Sequence, residues 1–526
     1  MFMKSIVNYT KLNSRGLVLC CFLLFVGAFF GSTFCQNKNF PFEFNFQQRL
    51  TSSIKHRSIR PYNEGINQIK YTNFYVDSAE RDSRFYRFVF KKSVLDVVDN
   101  DVTLKADPLF NFAVGNLSNS NLYRYFTNSR GFRVLADLGK KVSFETRFYE
   151  NQMIYPEYLD AIADQRGIGI GIGRSKPFKD YGLDAATASG YISYSPNQLI
   201  NFQFGHGRHF FGNGYRSLLL SDYAPNYPYF SGQYLFLNGK IAYKHITAWM
   251  HSRDRTPGSG ISAETIYKRK ASSFNLLSFS LNENLEFSFF EGVIHKSYDE
   301  NLGTIHPDFS FYLPVFGSSI LVNYQDSKIN RVYGASFSSL FVKKIELYGQ
   351  TMLHESANLA FQSGIKWLAP FQIKNSYLLI EYNYIKTFSY TVDSSRILQT
   401  YTHNGHELAH PLGSGVSELI IKGYFEYKKF LLNVQFSNFI TEFSDDNQGA
   451  DIFLPHSSLA TDLVKHNNTY SFIELGYLLN VQTQMKVFVS FTNRTNLSVI
   501  QPTQNYPSKF FFVGFRTNLI NNYYDQ

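Results

Sequence analysis

Apolar and polar residues alternate along most of this chain with a period of two, the spacing that puts successive side chains on opposite faces of a β-strand. In 142–150, Val142, Phe144 and Phe148 share one face, and Ser143, Glu145 and Arg147 share the other. Ile200, Phe202 and Phe204 oppose Asn201, Gln203 and Gly205, and the pattern returns at Leu285, Phe287 and Phe289 and at Ile320, Val322 and Tyr324. It continues with Phe430, Leu432, Val434 and Phe436 against Asn433, Gln435 and Ser437, and then with Val487, Val489 and Phe491. The last such stretch sets Phe511, Val513, Phe515 and Leu519 against Gly514, Arg516 and Asn518. Many of these alternations persist for about ten residues, the length a tilted membrane-crossing strand needs, whereas strands of soluble proteins average about five or six. One face is crowded with Phe, Tyr, Val and Leu while the other carries Lys, Arg, Glu, Asn and Gln, as lipid on one side and a watery lumen on the other require. The pattern predicts an all-β transmembrane outer-membrane barrel of about 16 to 20 strands. The competing reading, a secreted soluble sandwich or propeller, leaves the strand length unexplained.

The first 35 residues differ. Lys4, Lys11 and Arg15 precede an apolar run from Leu17 to Phe30 and then Gly31-Ser32-Thr33-Phe34-Cys35. A basic start, an apolar run too short to span a bilayer and a small-residue exit predict a secretory signal over 1–35. Residues 36–84 lack sustained alternation and contain Arg60-Pro61-Tyr62, so a periplasmic or plug-like lead-in is expected there, with the barrel over 85–526.

Composition sharpens this division. The 526 residues include 53 Phe, 37 Tyr and 2 Trp, and a hydrophobic content of 44% excludes a disordered chain. All three cysteines, Cys20, Cys21 and Cys35, fall within the expected signal, so neither a disulfide framework nor a cysteine zinc site can form in the rest. The net charge of +10 is spread along the chain and not clustered, which does not point to nucleic acid.

Three motifs carry chemistry on paper. His406-Glu407-Leu408-Ala409-His410 matches the HExxH zinc-protease pattern, which works only as a helix that turns both histidines to one metal. Gly405 and Pro411 flank it, the proline disfavours helix at His410, and Val416 stands where a third ligand would be. A polar loop is therefore expected, with an outer-membrane zinc hydrolase as the least favoured function. His206, His209 and Asp222 beside Ser217 or Ser221 is a chance grouping on the same standard, and no Gly-x-Ser-x-Gly elbow accompanies it. Gly167, Gly169, Gly171 and Gly173 alternate with Ile168, Ile170 and Ile172, and at period two they predict a strand with one smooth face, not a phosphate loop. Just before them, Pro156 opens a short helix through Ala163.

Residues 205–230 are the densest in potential chemistry. A strand is expected to end in a glycine-rich turn, followed by a short helix capped by Ser217 and an aromatic loop. Folded into a lumen, such a loop offers Arg and Asp to sugar hydroxyls and Tyr faces to sugar rings. Arg208, His209, Tyr215, Arg216, Asp222, Tyr227 and Tyr229 are the candidate polysaccharide-binding residues. A constriction that only plugs the pore is the equal alternative. No catalytic residue, metal ligand or cofactor is expected.

The run Asp184-Ala185-Ala186-Thr187-Ala188-Ser189-Gly190-Tyr191, with Ser195-Pro196-Asn197, Gly212-Asn213-Gly214-Tyr215-Arg216-Ser217-Leu218-Leu219-Leu220-Ser221-Asp222 and Asn226-Tyr227-Pro228-Tyr229, resembles the Wzi-like capsule-assembly proteins, nearest to their RemB-like branch associated with gliding motility. Leu408-Ala409-His410-Pro411-Leu412-Gly413 and Gly514-Phe515-Arg516-Thr517-Asn518-Leu519 are similar to stretches of that branch. The resemblance implies a barrel of about 18 antiparallel strands with a short helical or plug segment, without enzymatic activity, that holds surface polysaccharide in the capsule branch. The partners it implies are outer-membrane lipid, surface polysaccharide, the barrel-assembly machinery and other gliding or cell-surface proteins, with no nucleic acid. The chain ends in Tyr523-Tyr524-Asp525-Gln526 instead of a terminal Phe, which moves the expected assembly signal to Gly514–Leu519. A diffusion pore or transporter is the alternative function.

Overall fold

The computed structural model describes residues 37–526 apart from 70–82, 84–85, 87–92, 100, 118–123, 180, 258–266, 319–328, 356–357, 444–450, 455–462, 481, 499–507, 518–520 and 522. The expected signal over 1–35, the alternation at Ile320, Val322 and Tyr324, and Asn518 and Leu519 lie outside the described residues.

Among the described residues, eighteen antiparallel strands form one closed barrel. It begins with Val102–Leu117 and ends with Ser508–Arg516, and these two close the cylinder through pairs running from Leu117 with Phe510 to Asn111 with Arg516. Closure removes the free sheet edges, so each of these strands pairs with a neighbour on both sides. The fold class read from the alternation and the strand number implied by the resemblance both hold.

The strands run from eight residues, Ile200–Gly207, to seventeen, Val464–Asn480, so several exceed the expected ten. About ten residues suffice for the hydrocarbon. Connections alternate in length. Short turns such as 139–141, 237–240, 342–344 and 428–429 close one end, and Leu237, Asn238, Val342 and Lys343 adopt the positive φ of tight hairpin turns. Long connections, among them 155–181, 208–226 and 386–415, gather at the other end.

The two faces separate as the alternation requires. Phe204, Phe436 and Val513 point outward at 60%, 41% and 51% exposure, whereas Asn201, Ser437 and Glu381 point inward and are fully buried. A buried polar lumen is possible only because it is filled. The lead-in 37–68 enters at the short-turn end and is moored there: Lys38 reaches Asp137, Arg49 meets Glu426 at 2.5 Å, and His56 lies 2.8 Å from Ser278. Arg57 lies fully buried between Glu286 and Glu346 and donates to Ser338 Oγ at 3.0 Å and to the carbonyl of Asn284 at 2.9 Å.

The helix Glu157–Arg166 forms where the proline predicted it, three residues longer, and Gly167 in the left-handed region ends it. The glycine repeat behind it is not a continuous strand. Ile168–Gly169 and Gly173–Arg174 pair in a tight hairpin whose turn places Gly171 and Gly173 at φ of 68° and 97°. The glycines serve the reversal of direction, and the isoleucines between them are buried in the plug.

Candidate functional site

The loop 208–226 runs through the middle of the lumen. The helix expected after Ser217 is absent, for an identifiable reason. The backbone groups its ladder would pair internally are taken by other segments: the carbonyls of Leu218 and Leu219 accept from the hydroxyls of Tyr390 and Tyr401 at 2.8 and 2.7 Å, that of Leu220 accepts from Phe211 N at 2.8 Å, and Ser221 N donates to the carbonyl of Leu408 at 2.7 Å. Just before them, Tyr215 N and Arg216 N donate to Glu381 at 2.7 and 3.0 Å, and Leu218 N donates to Gln350 at 2.9 Å. Ser217 donates to the carbonyl of Phe211 at 2.6 Å and accepts from Leu219 N. With no helical ladder to keep, Leu218, Leu219 and Leu220 are all fully buried, which three consecutive residues on an amphipathic helix cannot be.

All seven candidate residues lie in or beside this loop, each at least nine-tenths buried, with polar groups committed inside the protein. Arg208 donates to Asn226 Oδ1, to the carbonyl of Asp222 and to that of Gly171. His209 packs edge-on against Tyr229, whose hydroxyl donates to Gln203, and stacks near Tyr227. Arg216 forks onto Glu418 at 2.8 and 3.2 Å and also reaches Asp525 at 3.1 Å. Tyr215 donates to Asp525 at 3.0 Å, and Asp222 accepts from Tyr523 at 2.5 Å and from Asn521 at 2.6 Å. Asn521, Tyr523 and Asp525 thus lie inside the barrel and cross-link the loop. Desolvation by burial opposes the charge on the Arg216 guanidinium, and the neighbouring carboxylates of Asp525 and Glu418 outweigh it and hold the group charged.

HELAH lies in the connection 386–415, also folded inward. His406 and Glu407 pair with Thr402 and His403 in a two-stranded hairpin, with Asn404 and Gly405 at positive φ in its turn. His406 Nε2 accepts from Gly171 N at 2.9 Å, while His410 Nε2 lies 2.8 Å from Glu418. The two histidines therefore serve different partners, and the helical turn that zinc proteases need is not built. Glu407 instead meets Arg166 of the helix at 3.0 Å, joining two inward segments. Among the described residues no group of three or more His, Cys, Asp or Glu is placed to hold a metal ion.

Sequence reasoning missed the wall residues that hold the plug: Glu286, Glu346, Lys366, Glu381 and Glu418 all point inward. The available signal was a charge at a polar-face position within a strand, because a charge in a filled lumen must meet a partner. Lys366 does so, 2.9 Å from Glu346.

Also missed was a cavity of about 270 Å³ between the lead-in, the start of the helix, Thr517, Asn521, residues 523–525 and the inner wall. Tyr158, Tyr424 and Tyr470 line it, with Glu474, Lys486 and Arg516. Of the seven candidates, Tyr215 alone borders it.

A closed cylinder with an apolar outer belt and a plugged polar lumen has the architecture of an outer-membrane β-barrel. No protein-family model matches the chain, and no curated protein matches it. Among solved structures it is similar to Wzi of Escherichia coli, an outer-membrane protein involved in group 1 capsule assembly and described as a carbohydrate-binding β-barrel. That likeness has 14% identity and a TM-score of 0.53, and covers 93% of this chain and 100% of the other. The fold is Wzi-like. Pseudomonas aeruginosa outer membrane protein OprD, at 11% identity and a TM-score of 0.42 over 82% of this chain and 97% of its own, is more distant. So is Acinetobacter baumannii OccAB4, at 8% identity and 0.41 over 80% and 98%.

Proposed function

We propose that this chain is a non-enzymatic outer-membrane protein that binds or organises surface polysaccharide. In this reading it is exported through cleavage of 1–35, residues 36–84 serve as a plug segment, and the rest inserts as the barrel, its outward belt in contact with membrane lipid. The observation that carries the reading is a lumen filled by three long connections, the lead-in, Asn521 and residues 523–526, which suits a holder of chains at the surface better than a conduit for solutes. A whole-length likeness to a barrel described as carbohydrate-binding supports it. Arg208, His209, Tyr215, Arg216, Asp222, Tyr227 and Tyr229 then act first as the frame of the plug, with Tyr215 the one placed to meet a ligand. A finer role in gliding or adhesion, with other cell-surface proteins as partners, rests on the match over 184–230 to the RemB-like branch.

Two measurements test this. Detergent-purified protein on a glycan array is expected to retain polysaccharide fragments, and in planar bilayers it is expected to be nearly silent. Steady large conductance without glycan retention would establish a diffusion pore instead. Deletion of the gene that left surface glycan, adhesion and motility unchanged would remove the cellular role.

A further inference from the structure

The outer wall changes character partway up one strand. In Leu285–Lys296, Phe290 and Ile294 point into the lumen and join the plug core, where Phe290 meets the ring of Phe211. Glu291, Val293 and His295, which alternate with them, therefore face outward. Lower on the same face, Phe287 and Phe289 are 40% and 48% exposed, as a lipid belt requires, whereas Glu291, Val293 and His295 are all buried. On the two preceding strands, His245 and Thr247 of Ile241–Arg255 and Ser273 and Asn275 of Tyr267–Ser280 share this outward face and are buried too. These groups form a polar notch: Thr247 Oγ1 lies 3.0 Å from His245 Nε2, His245 Nδ1 lies 2.7 Å from Asn275 Oδ1, and Asn275 Nδ2 donates to Glu291 at 3.4 Å. Polar and ionisable groups are costly against hydrocarbon, so a notch in a lipid-facing wall requires a cover that is not lipid.

The cover comes from the long connection after Lys296. Ile305 N donates to the carbonyl of Ser297 at 3.2 Å, the ring of Phe311 stands edge-on to His295 at 5.7 Å, and Gly317 N donates to Glu291 at 2.8 Å. These contacts step down the strand from 297 to 291, roughly 20 Å of wall, so 305–317 folds back over the outside of the barrel. Its backbone suits a place with little water: Phe311 N, Val315 N and Gly317 N are paired, and Pro314 has no N–H to pair. From Phe309 to Ser318 it holds four aromatic rings and no charge. Phe311 turns to the wall, but Phe309 is 79% exposed and Phe316 37%. Apolar rings so exposed mark a contact surface, and the surface that adjoins them is the belt of Phe287 and Phe289.

We propose that residues 309–317 are a lipid-contact segment, seated over the polar notch with Phe309 and Phe316 in the acyl chains beneath the headgroups on the long-connection side, the outer leaflet in barrels of this class. Lipid is the occupant because the rings continue a belt that already faces it. The proposal goes beyond the polysaccharide reading and does not depend on it.

The test uses the full chain, whose two tryptophans, Trp249 and Trp367, are first replaced by Phe. One indole is then introduced by Phe309→Trp, by Phe316→Trp or, as a belt control, by Phe289→Trp, and each protein is reconstituted in phosphatidylcholine vesicles. Phospholipid brominated along its acyl chains is expected to quench Phe309→Trp and Phe316→Trp to about the extent that it quenches Phe289→Trp, and acrylamide in the water to quench all three weakly. Phe309→Trp decides, and Phe316→Trp decides in its place should the first fail to fold by heat-modifiable migration in electrophoresis. Quenching by acrylamide without quenching by brominated lipid would put the segment in water and overturn the proposal. Protection from both quenchers would put protein against the segment and overturn lipid as its occupant.

Discussion

Arg216 and Glu418 meet through two hydrogen bonds of 2.8 and 3.2 Å with neither side chain reaching solvent, so the loop 208–226 is pinned to the wall at its centre. His410 and Asp525 complete the cluster, bringing together residues separated by up to 309 positions in sequence. Arg216→Ala removes the one guanidinium that faces both carboxylates. Breaking a buried pair in this way costs about 3–5 kcal/mol, because the remaining charge keeps its desolvation penalty. Thermal unfolding in detergent, followed by heat-modifiable migration, is expected to shift to lower temperature, with Arg216→Lys in between because it keeps the charge and loses the fork. An unchanged transition in Arg216→Ala would mean that the cluster does not brace the plug.

Arg57 does for the lead-in what Arg216 does for the loop. It donates to Ser338 and to the carbonyls of Glu283 and Asn284, while its own N–H donates to Glu286 at 2.8 Å. Arg57→Ala keeps the backbone bond and loses the rest, weakening the docking of residues 37–68 by about 2–3 kcal/mol. Limited proteolysis should then cleave within 37–68 while the barrel remains resistant. Equal resistance of the segment in the variant and the wild type would show that other contacts suffice.

These two arginines also show where sequence reading reaches its limit. Period-two alternation reports one local fact, which face a side chain takes, and that was enough for the barrel, the outward Phe204 and Phe436 and the inward Asn201 and Gln435. The partners of Arg216 depend on how the sheet curls until Glu381, Glu418 and residue 525 surround one loop, and no local periodicity encodes that. The helix expected after Ser217 failed for the same reason: segments distant in sequence took the carbonyls of Leu218 and Leu219 and the N–H of Ser221 that its ladder would pair. The Gly167–Gly173 repeat was misread because a glycine at every second position fits both a smooth strand and a hairpin turn. Only positive φ at Gly171 and Gly173 separates the two. The cavity had no local signal, since its lining residues, Tyr158 and Tyr470 among them, come from segments far apart in sequence.

Gly173 couples two inward hairpins and can be tested alone. Its φ of 97° is unfavourable for any side chain, and a Cβ there would overlap the Asn404 side-chain amide. Gly173→Ala is expected to cost about 1–2 kcal/mol in backbone strain and to displace the 402–407 hairpin as well. Hydrogen exchange should report faster opening in both segments. Acceleration confined to 167–174 would show that the hairpins move independently.

Glu407 gives the plug a dependence on pH whose sign follows from burial. Desolvation raises its pKa from 4.5 to about 7, against the opposing pull of Arg166, while burial lowers that of neighbouring His406 to about 3 and keeps it neutral. A carboxyl whose pKa is higher in the folded state binds more protons there than when unfolded. Its stabilising contribution is therefore complete below about pH 4.5 and is lost as pH rises through 7. The 402–407 hairpin is expected to open more readily at pH 8 than at pH 5, as hydrogen exchange corrected for the intrinsic pH dependence would record. Glu407→Gln, which stays neutral throughout and keeps an acceptor for Arg166, should flatten that dependence and leave the hairpin as protected at pH 8 as wild type is at pH 5. An identical pH profile in the variant would assign the effect to another group.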